Sequence, residues 1–282
     1  MPHKMMTKSS TAWRRQMRIL IINLPTHIDR LVFQKKQMAR LGLSFELTHA
    51  VDAATLPEET YKRLAGTWER PLRKAEVCCF LSHRNAWQSV LDSGQPALIL
   101  EDDAVLANTT PQLLAELSTL KDIDLATLEV RARKKIISKH GTPITPGLTL
   151  LALFQDRTGA AGYVLWPEGA RKLLAKADSG RAGIADAFIS SHYALRAFQI
   201  EPAPIVQLDM CVNYGLTAPL QTASSIGGVA RPKVEKNRGL YVCRRLVSQL
   251  RIGWRILSVL HKAERRHVRV DKTQFSSATG TD

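Results

Sequence analysis

Glu101-Asp102-Asp103 is the stretch of this chain with the most chemistry in it. Four apolar residues, Ala97-Leu98-Ile99-Leu100, run straight into these three carboxylates, and Ala104-Val105-Leu106 follows. A short buried strand ending in an acidic cluster is a place to hold a divalent metal through oxygen ligands. Adjacent carboxylates repel one another, and a cation relieves that cost. An acidic triplet alone reads as a solvated turn. The apolar run before it, with the motifs elsewhere in the chain, favours the site.

The elements that must position this cluster follow from hydrophobic pattern and turn chemistry. Residues 18–24 are a continuous apolar run that suits a buried strand of a parallel sheet. Residues 30–41 have helical spacing, and Gly42 caps them. Residues 44–51 form a second strand, followed by Asp52, which completes a βαβ unit. A helix over 75–91 is broken by Ser93-Gly94-Gln95-Pro96, and strand 97–100 leads into the acidic cluster. Further helices are expected at 111–120 and 167–177, each opened by proline, and at 184–197. Strands are expected at 123–130 and 159–165, with a basic loop over 131–147. From Pro202 the chain reads as irregular until a helix near 240–262. No internal repeat is visible.

Composition narrows the classes. With 282 residues and 45% hydrophobic content, the chain can build one large α/β domain. A formal net charge of +15 implies an anionic partner: nucleic acid, anionic lipid or a phosphorylated substrate. The four cysteines, Cys78, Cys79, Cys211 and Cys243, lack metal-ligand spacing and make a poor disulfide framework, so reduced thiols in a cytosolic compartment are expected. The basic start is followed by Ile19-Leu20-Ile21-Ile22, too short a run for a signal peptide, and no segment is long and apolar enough to span a bilayer.

Three blocks, in order, resemble glycosyltransferase family 25, the lipooligosaccharide galactosyltransferase family. The first is Ile22-Asn23-Leu24-Pro25 with Asp29-Arg30, then Ala50-Val51-Asp52. The second is Glu76-Val77-Cys78-Cys79-Phe80-Leu81-Ser82-His83 with Trp87, running into Leu98-Ile99-Leu100-Glu101-Asp102-Asp103. The third is Gly159-Ala160-Ala161-Gly162-Tyr163 with Gly169-Ala170, Leu173-Leu174 and Asp186; Gln207 and Ser225-Ile226 look like the last landmarks. The resemblance covers residues 18–228, and its specificity lies in the ordered set. Ala75 and Cys78 stand where the family usually has glycine.

The resemblance implies an α/β, GT-A type single domain with a mostly parallel sheet, to which this chain adds a basic C-terminal helical tail. The expected organisation is a basic flexible arm over 1–17, the glycosyltransferase domain over 18–230, the amphipathic helical tail over 231–270 and a disordered end over 271–282. The resemblance also implies a nucleotide-sugar donor, here a UDP-sugar, whose departing diphosphate needs positive charge, usually Mn²⁺ or Mg²⁺. On a strand Glu101 and Asp103 point to one side and Asp102 to the other. Asp103 is then the direct metal ligand, with Asp102 or Glu101 contacting the metal's water or the donor ribose. Asn23, Pro25 and Arg30 lie beyond the carboxyl end of strand one, where open sheets bind ligands, and Arg30 is suited to a phosphate. Asp52 is placed to accept from uracil or ribose; otherwise it is an N-cap. His83 is read as touching the diphosphate or acceptor, or else as a structural histidine. Asp186 is the candidate general base, or else a helix cap. Gly159, Gly162 and Tyr163 are read as shaping the acceptor side.

Residues 231–270 hold twelve Lys and Arg against two Glu. At 100° per residue Arg244, Arg251, Arg255 and Lys262 form one stripe, and Leu246, Leu250, Trp254, Leu257 and Leu260 lie opposite. Such a helix suits an anionic membrane surface, or packs on the domain with a solvated basic face. No nucleic-acid module accompanies the charge, so nucleic acid is not an expected partner. The expected function is inverting, metal-assisted transfer of galactose or glucose to a lipooligosaccharide or lipopolysaccharide core. It is placed peripherally on the cytoplasmic face of a bacterial inner membrane. A collagen-type acceptor is disfavoured, since neither a secretory signal nor a disulfide framework is seen. The competing class is a non-catalytic basic membrane- or nucleic-acid-binding adaptor that keeps the fold.

Overall fold

A computed structural model of the chain describes residues 16–156, 159–220 and 238–275. The elements run β1 (Arg18–Asn23), α1 (Ile28–Leu41), β2 (Glu46–His49), α2 (Glu58–Ala65), α3 (Lys74–Ser93), β3 (Ala97–Glu101), β4 (Ala104–Leu106) and α4 (Thr110–Leu117). They continue with β5 (Leu125–Thr127), β6 (Glu129–Val130), β7 (Lys135–Ser138), β8 (Thr142–Thr145), β9 (Leu148–Gln155), β10 (Gly162–Leu165), α5 (Pro167–Asp178) and α6 (Ala185–Ser190). The last are β11 (Ala197–Glu201), β12 (Ile205–Gln207), α7 (Arg238–Val259) and β13 (Ala263–Arg266).

The central sheet has the order β13-β7-β9-β11-β5-β10-β3-β1-β2, with β8 paired to β9. It is mixed. The β2-β1-β3 end is parallel, as the βαβ reading requires, and β5 pairs parallel with β11, whereas β10 and the β9 region pair antiparallel. Period-2 alternation sends Leu20, Ile22 and Ile99 into one core with α3 and α5. It sends Ile19, Ile21, Leu98 and Leu100 into the other with α1 and α4. Burial on both faces is what the continuous apolar runs encode.

Four expectations change. The 131–147 stretch is not a loop but carries β7 and β8, because Ile136 and Ile137 are buried in the sheet and the one buried charge of β7, Lys135, is paired with Asp156 at 2.6 Å and donates to Gln199 at 2.7 Å. The 184–197 helix stops at Ser190, and β11 begins at Ala197, paired on both sides. Ile205–Gln207, read as irregular, is a strand of a small second sheet with β4 and β6. The helical reading of the tail holds only to Val259, since Ala263–Arg266 then pairs antiparallel with β7. Glu201, 3% exposed, accepts from Arg266 at 2.7 Å and from the Arg269 backbone N–H at 2.9 Å, and Val268 and Phe275 are buried. The tail is therefore stitched into the domain. Of the arm expected over 1–17, Met17 is buried in the core; residues 1–15, the Ser225-Ile226 landmark and the chain end from 276 lie outside the described residues.

The tail helix also faces opposite to the second expectation. Three of the four residues of its basic stripe pack on the domain while Arg251 stays exposed: Arg244 donates to the carbonyls of Gly66 (2.6 Å) and Trp68 (3.0 Å), Arg255 stacks on Phe154 and Tyr193, and Lys262 lies over Phe154. The apolar stripe turns outward, with Leu250 73% and Trp254 75% exposed.

Candidate active site

Helix α1 builds the floor of the acidic turn. Its buried Gln34 donates to the carbonyls of Asp102 (3.1 Å) and Ala104 (2.8 Å), and Gln37 accepts from the Leu106 N–H at 2.8 Å. Two glutamines buried on α1 thus satisfy backbone groups the turn leaves unpaired. Above this floor the three carboxylates diverge. Asp102, buried, takes hydrogen bonds on both oxygens, from Asn23 (2.8 Å) and Arg30 (2.8 Å), with His27 3.5 Å away. It locks β1, α1 and β3 together. Glu101 and Asp103 turn the other way, and Gln207 at the end of β12 donates to both, at 3.1 and 3.3 Å.

Glu101 is aimed from the helix side. Trp87, a donor only, gives its indole N–H to the Tyr163 hydroxyl at 2.8 Å; Tyr163 meets His83 Nδ1 at 2.9 Å, and His83 Nε2 meets Glu101 at 3.1 Å. The indole occupies Tyr163 as an acceptor, so the tyrosine proton goes to Nδ1, and Nε2 carries the imidazole proton donated to Glu101. Burial opposes ionisation of Glu101, yet this hydrogen bond from His83 and the charges of Arg131 and Arg30 hold it below the usual glutamate range. Asp103 goes the other way. Burial, then repulsion from Glu101, push it up to about 7, against the pull of Arg30 at 3.8 Å.

These groups line a cavity of about 470 Å³. It brings together Arg30, Asp52, His83, Glu101, Asp102, Asp103 and Asp186. Asn23 stands behind Asp102, and Pro25 is exposed in the turn after β1, away from the cavity lining formed by its neighbours Leu24 and His27. Asp52 accepts from the Ala54 N–H at 2.8 Å, the cap geometry, while still facing the cavity. Ser82 fixes this loop, accepting from the Val51 N–H at 2.8 Å. Asp186 opens α6, which is held to α3 by Phe188 against Phe80 (4.8 Å between centroids) and Trp87 (5.8 Å). Burial pushes the Asp186 carboxyl up, against hydrogen bonds from the Ala187 and Gly159 N–H groups, with Glu101 and Asp156 adding to the rise. Asp186 also borders a narrower cavity walled by Phe154, Tyr193 and Arg255. Gly159 holds φ +100°, and a Cβ there would lie 2.7 Å from Glu129, so the close approach read from sequence is a packing need. Gly162 likewise packs against Ile205.

Three lining residues escaped the sequence reading. Arg131, paired with Asp209 at 2.8 Å, follows directly on β6, where the carboxyl-end rule applies equally. Cys79 stands one helical turn before His83 and 3.9 Å from Glu101.

Asp102 and Arg30 are an almost fully buried pair, with side chains 8% and 12% exposed. Breaking such a pair costs roughly 3 kcal/mol. Arg30→Ala is expected to lower Tm by several degrees in a thermal melt; an unchanged Tm would show that Asp102 is held without it.

Comparison with known proteins agrees with the ordered motifs. The family model described as Glycosyltransferase family 25 (LPS biosynthesis protein) matches residues 16–188. Procollagen galactosyltransferase 1-B of Xenopus laevis is 27% identical over 243 residues, covering 76% of this chain and 39% of that protein. The lipooligosaccharide biosynthesis protein lic2B of Haemophilus influenzae is 25% identical over 198 residues, covering 66% of this chain and 74% of that protein. Lacto-N-neotetraose biosynthesis glycosyltransferase LgtB of Neisseria meningitidis is 28% identical over 163 residues, covering 55% and 59%. The chain spans about two fifths of the length of the procollagen galactosyltransferases it matches.

Proposed function

The chain belongs to glycosyltransferase family 25, and on that premise we propose that it transfers a hexose, galactose or glucose, from a UDP-sugar to a lipooligosaccharide or lipopolysaccharide core, with inversion at the anomeric carbon. The observation that carries this reading is the shared cavity. It is lined by a crowded pair of carboxylates, Glu101 and Asp103, and by a third, Asp186, on a separate element. The lipooligosaccharide acceptor is favoured over collagen because the match to lic2B extends over most of that protein.

The residues fit a divalent cation. Asp103 is pushed up to about 7 by burial and by Glu101, and a cation is what removes that penalty. Asp103 and Glu101 would hold it, while Asp102, with both oxygens engaged, supports the turn. When bound, the metal offsets the negative charge growing on the departing diphosphate. Arg30 and Arg131 line the same cavity and suit phosphate oxygens. Asp52, which also lines the cavity, suits the ribose or uracil. The acceptor hydroxyl enters beside Asp186, which takes its proton as the oxygen attacks; UDP leaves from the opposite face, which inverts the centre. The test is UDP-sugar binding followed by transfer: a thermal-shift panel of UDP-sugars with and without Mn²⁺, then product analysis with lipooligosaccharide acceptors. A chain that neither binds nor hydrolyses any UDP-sugar would be the basic adaptor instead.

No described helix is long and apolar enough to cross a membrane. The reading places the enzyme peripherally on the cytoplasmic face of the inner membrane, through the outward stripe of α7. Leu246, Leu250, Trp254 and Leu257 form an apolar face, and exposed Arg245 and Arg265 lie nearby in the chain to meet anionic headgroups. Because β13, Val268 and Phe275 belong to the fold, truncation after 235 would open the core, and point changes are the cleaner probe. Inserting two large apolar side chains contributes about 3 kcal/mol, so the double change Leu250→Ser, Trp254→Ser is expected to weaken binding to anionic vesicles on the order of a hundredfold. Co-sedimentation at two salt concentrations reads it. Undiminished binding by the double variant would remove α7 as the contact.

A further inference from the structure

We infer that Cys79, His83 and Glu101 form a zinc-type site, able to take a soft divalent cation through one thiolate, one imidazole and one carboxylate. Their ligand atoms all lie within 4.8 Å of one another. The Glu101 carboxylate is 3.1 Å from His83 Nε2 and 3.9 Å from the Cys79 sulfur. Tetrahedral zinc, with bonds of roughly 2.0–2.3 Å, sets its ligands about 3.3–3.7 Å apart. The two separations from Glu101 bracket that range and the third lies within 4.8 Å, so closing the set on a cation needs side-chain adjustment and no movement of α3 or β3 out of place.

The supporting groups are already in place. Cys79 and His83 are one helical turn apart on α3, so a single rigid element presents both. All three residues line the large cavity, which gives an entry path and room for a water as the fourth ligand. Tyr163 meets His83 Nδ1 at 2.9 Å and is itself fixed by Trp87, an orienting contact of the kind that metal-bound imidazoles use. Binding moves two protons. The thiol releases one to solvent, and the imidazole gives up its Nε2 proton and carries one on Nδ1 instead, so the Tyr163 hydroxyl turns its own proton away from Nδ1 and becomes the acceptor there. The Asp103 carboxylate beyond Glu101 adds attraction for a cation. Thiolate distinguishes this set from the oxygen set of Asp103 and Glu101: Mn²⁺ and Mg²⁺ select oxygen, zinc selects sulfur and imidazole. Glu101 is common to both sets, so zinc would compete with the proposed donor metal; that consequence alone rests on the transferase reading.

Cobalt(II), which replaces zinc and reports its ligands, tests the site on the full chain under anaerobic conditions. One equivalent is expected to give a thiolate-to-cobalt charge-transfer band and tetrahedral ligand-field bands, and zinc should displace both. Cys79→Ser should lose the charge-transfer band, while Cys243→Ser, which removes the exposed thiol, should keep it. No band in the wild type, or a band that survives Cys79→Ser, overturns the site. If Cys79→Ser does not fold, X-ray absorption of the zinc-loaded wild type decides: a shell with one sulfur and one imidazole is expected, and an oxygen-only shell refutes it. Zinc should also inhibit the wild type more than tenfold and leave Cys79→Ser near its own zinc-free rate. Inhibition failing while the spectra hold would count against the transferase reading, not the site.

Discussion

Asp103→Asn is expected to abolish hexose transfer and leave a protein that melts no lower than the wild type. The two halves have one cause. In the resting protein the Asp103 carboxylate is a liability, since burial and Glu101 push it up to about 7. Asn is nearly isosteric, keeps an oxygen toward Gln207, which donates from 3.3 Å, and removes the repulsion. Stability is therefore kept or raised. Catalysis has the opposite interest in that charge. A metal held at the diphosphate is worth several kcal/mol in the transition state, so losing its main ligand should cost on the order of a thousandfold in kcat/KM. The manganese-dependent thermal shift should disappear with it. Wild-type turnover by a folded Asp103→Asn protein would remove the metal assignment. Asp102→Asn should fail differently: Arg30 and Asn23 lose their shared partner, so the melt falls as well as the rate.

The sequence carried the β2-β1-β3 end of the molecule well, for a physical reason. Parallel strands buried on both faces must be apolar throughout, so residues 18–23 and 97–101 stand out without tertiary information. Glycine C-caps at Gly42 and Gly94, both left-handed, marked the ends of α1 and α3 equally clearly. The antiparallel half was less legible. Lys135–Ser138 mixes charge with two buried isoleucines, and composition outweighed them in a stretch crowded with Arg, Lys and Gly. The 184–197 segment is apolar at both ends, but only the first turn and a half is helix, because Ala197 and Phe198 pair with β5 and β9 instead. Within the site, spacing put Glu101 and Asp103 on one side and Asp102 on the other, and Gln207 touches the first two only among these. What spacing cannot reveal is engagement. Nothing in Asn23 or Arg30 says that they meet one carboxylate 70-odd residues away and so engage both oxygens of Asp102. The tail helix makes the same point. Its two stripes were readable, but which one faces the domain depends on exposed carbonyls at Gly66 and Trp68 and on the rings of Phe154 and Tyr193, which arginine serves better than leucine.

Asp186→Asn is expected to lower kcat by a factor on the order of a hundred to ten thousand while leaving UDP-sugar affinity within a few-fold of wild type. The range is that of a positioned general base. The split follows from placement. Asp186 sits on α6, apart from the β1 and β3 groups that face the donor, and borders the second cavity as well. Losing a base removes an interaction made only in the transition state, which lowers kcat without weakening ground-state binding. The pH dependence supplies a second readout. The base must be ionised to act, so activity rises with pH through its pKa, and burial places that pKa above the ordinary aspartate range. In the wild type the acidic limb of kcat should accordingly lie higher than a solvated aspartate would put it, and in Asp186→Asn the limb should vanish from the residual rate. A cap explains less. Asp186 does accept from the Ala187 N–H at 2.6 Å, and Asn can accept there too, so a purely structural role predicts a small change in Tm and none in the pH profile. If kcat and the acidic limb both survive the substitution, Asp186 is that cap and the proton leaves by another group.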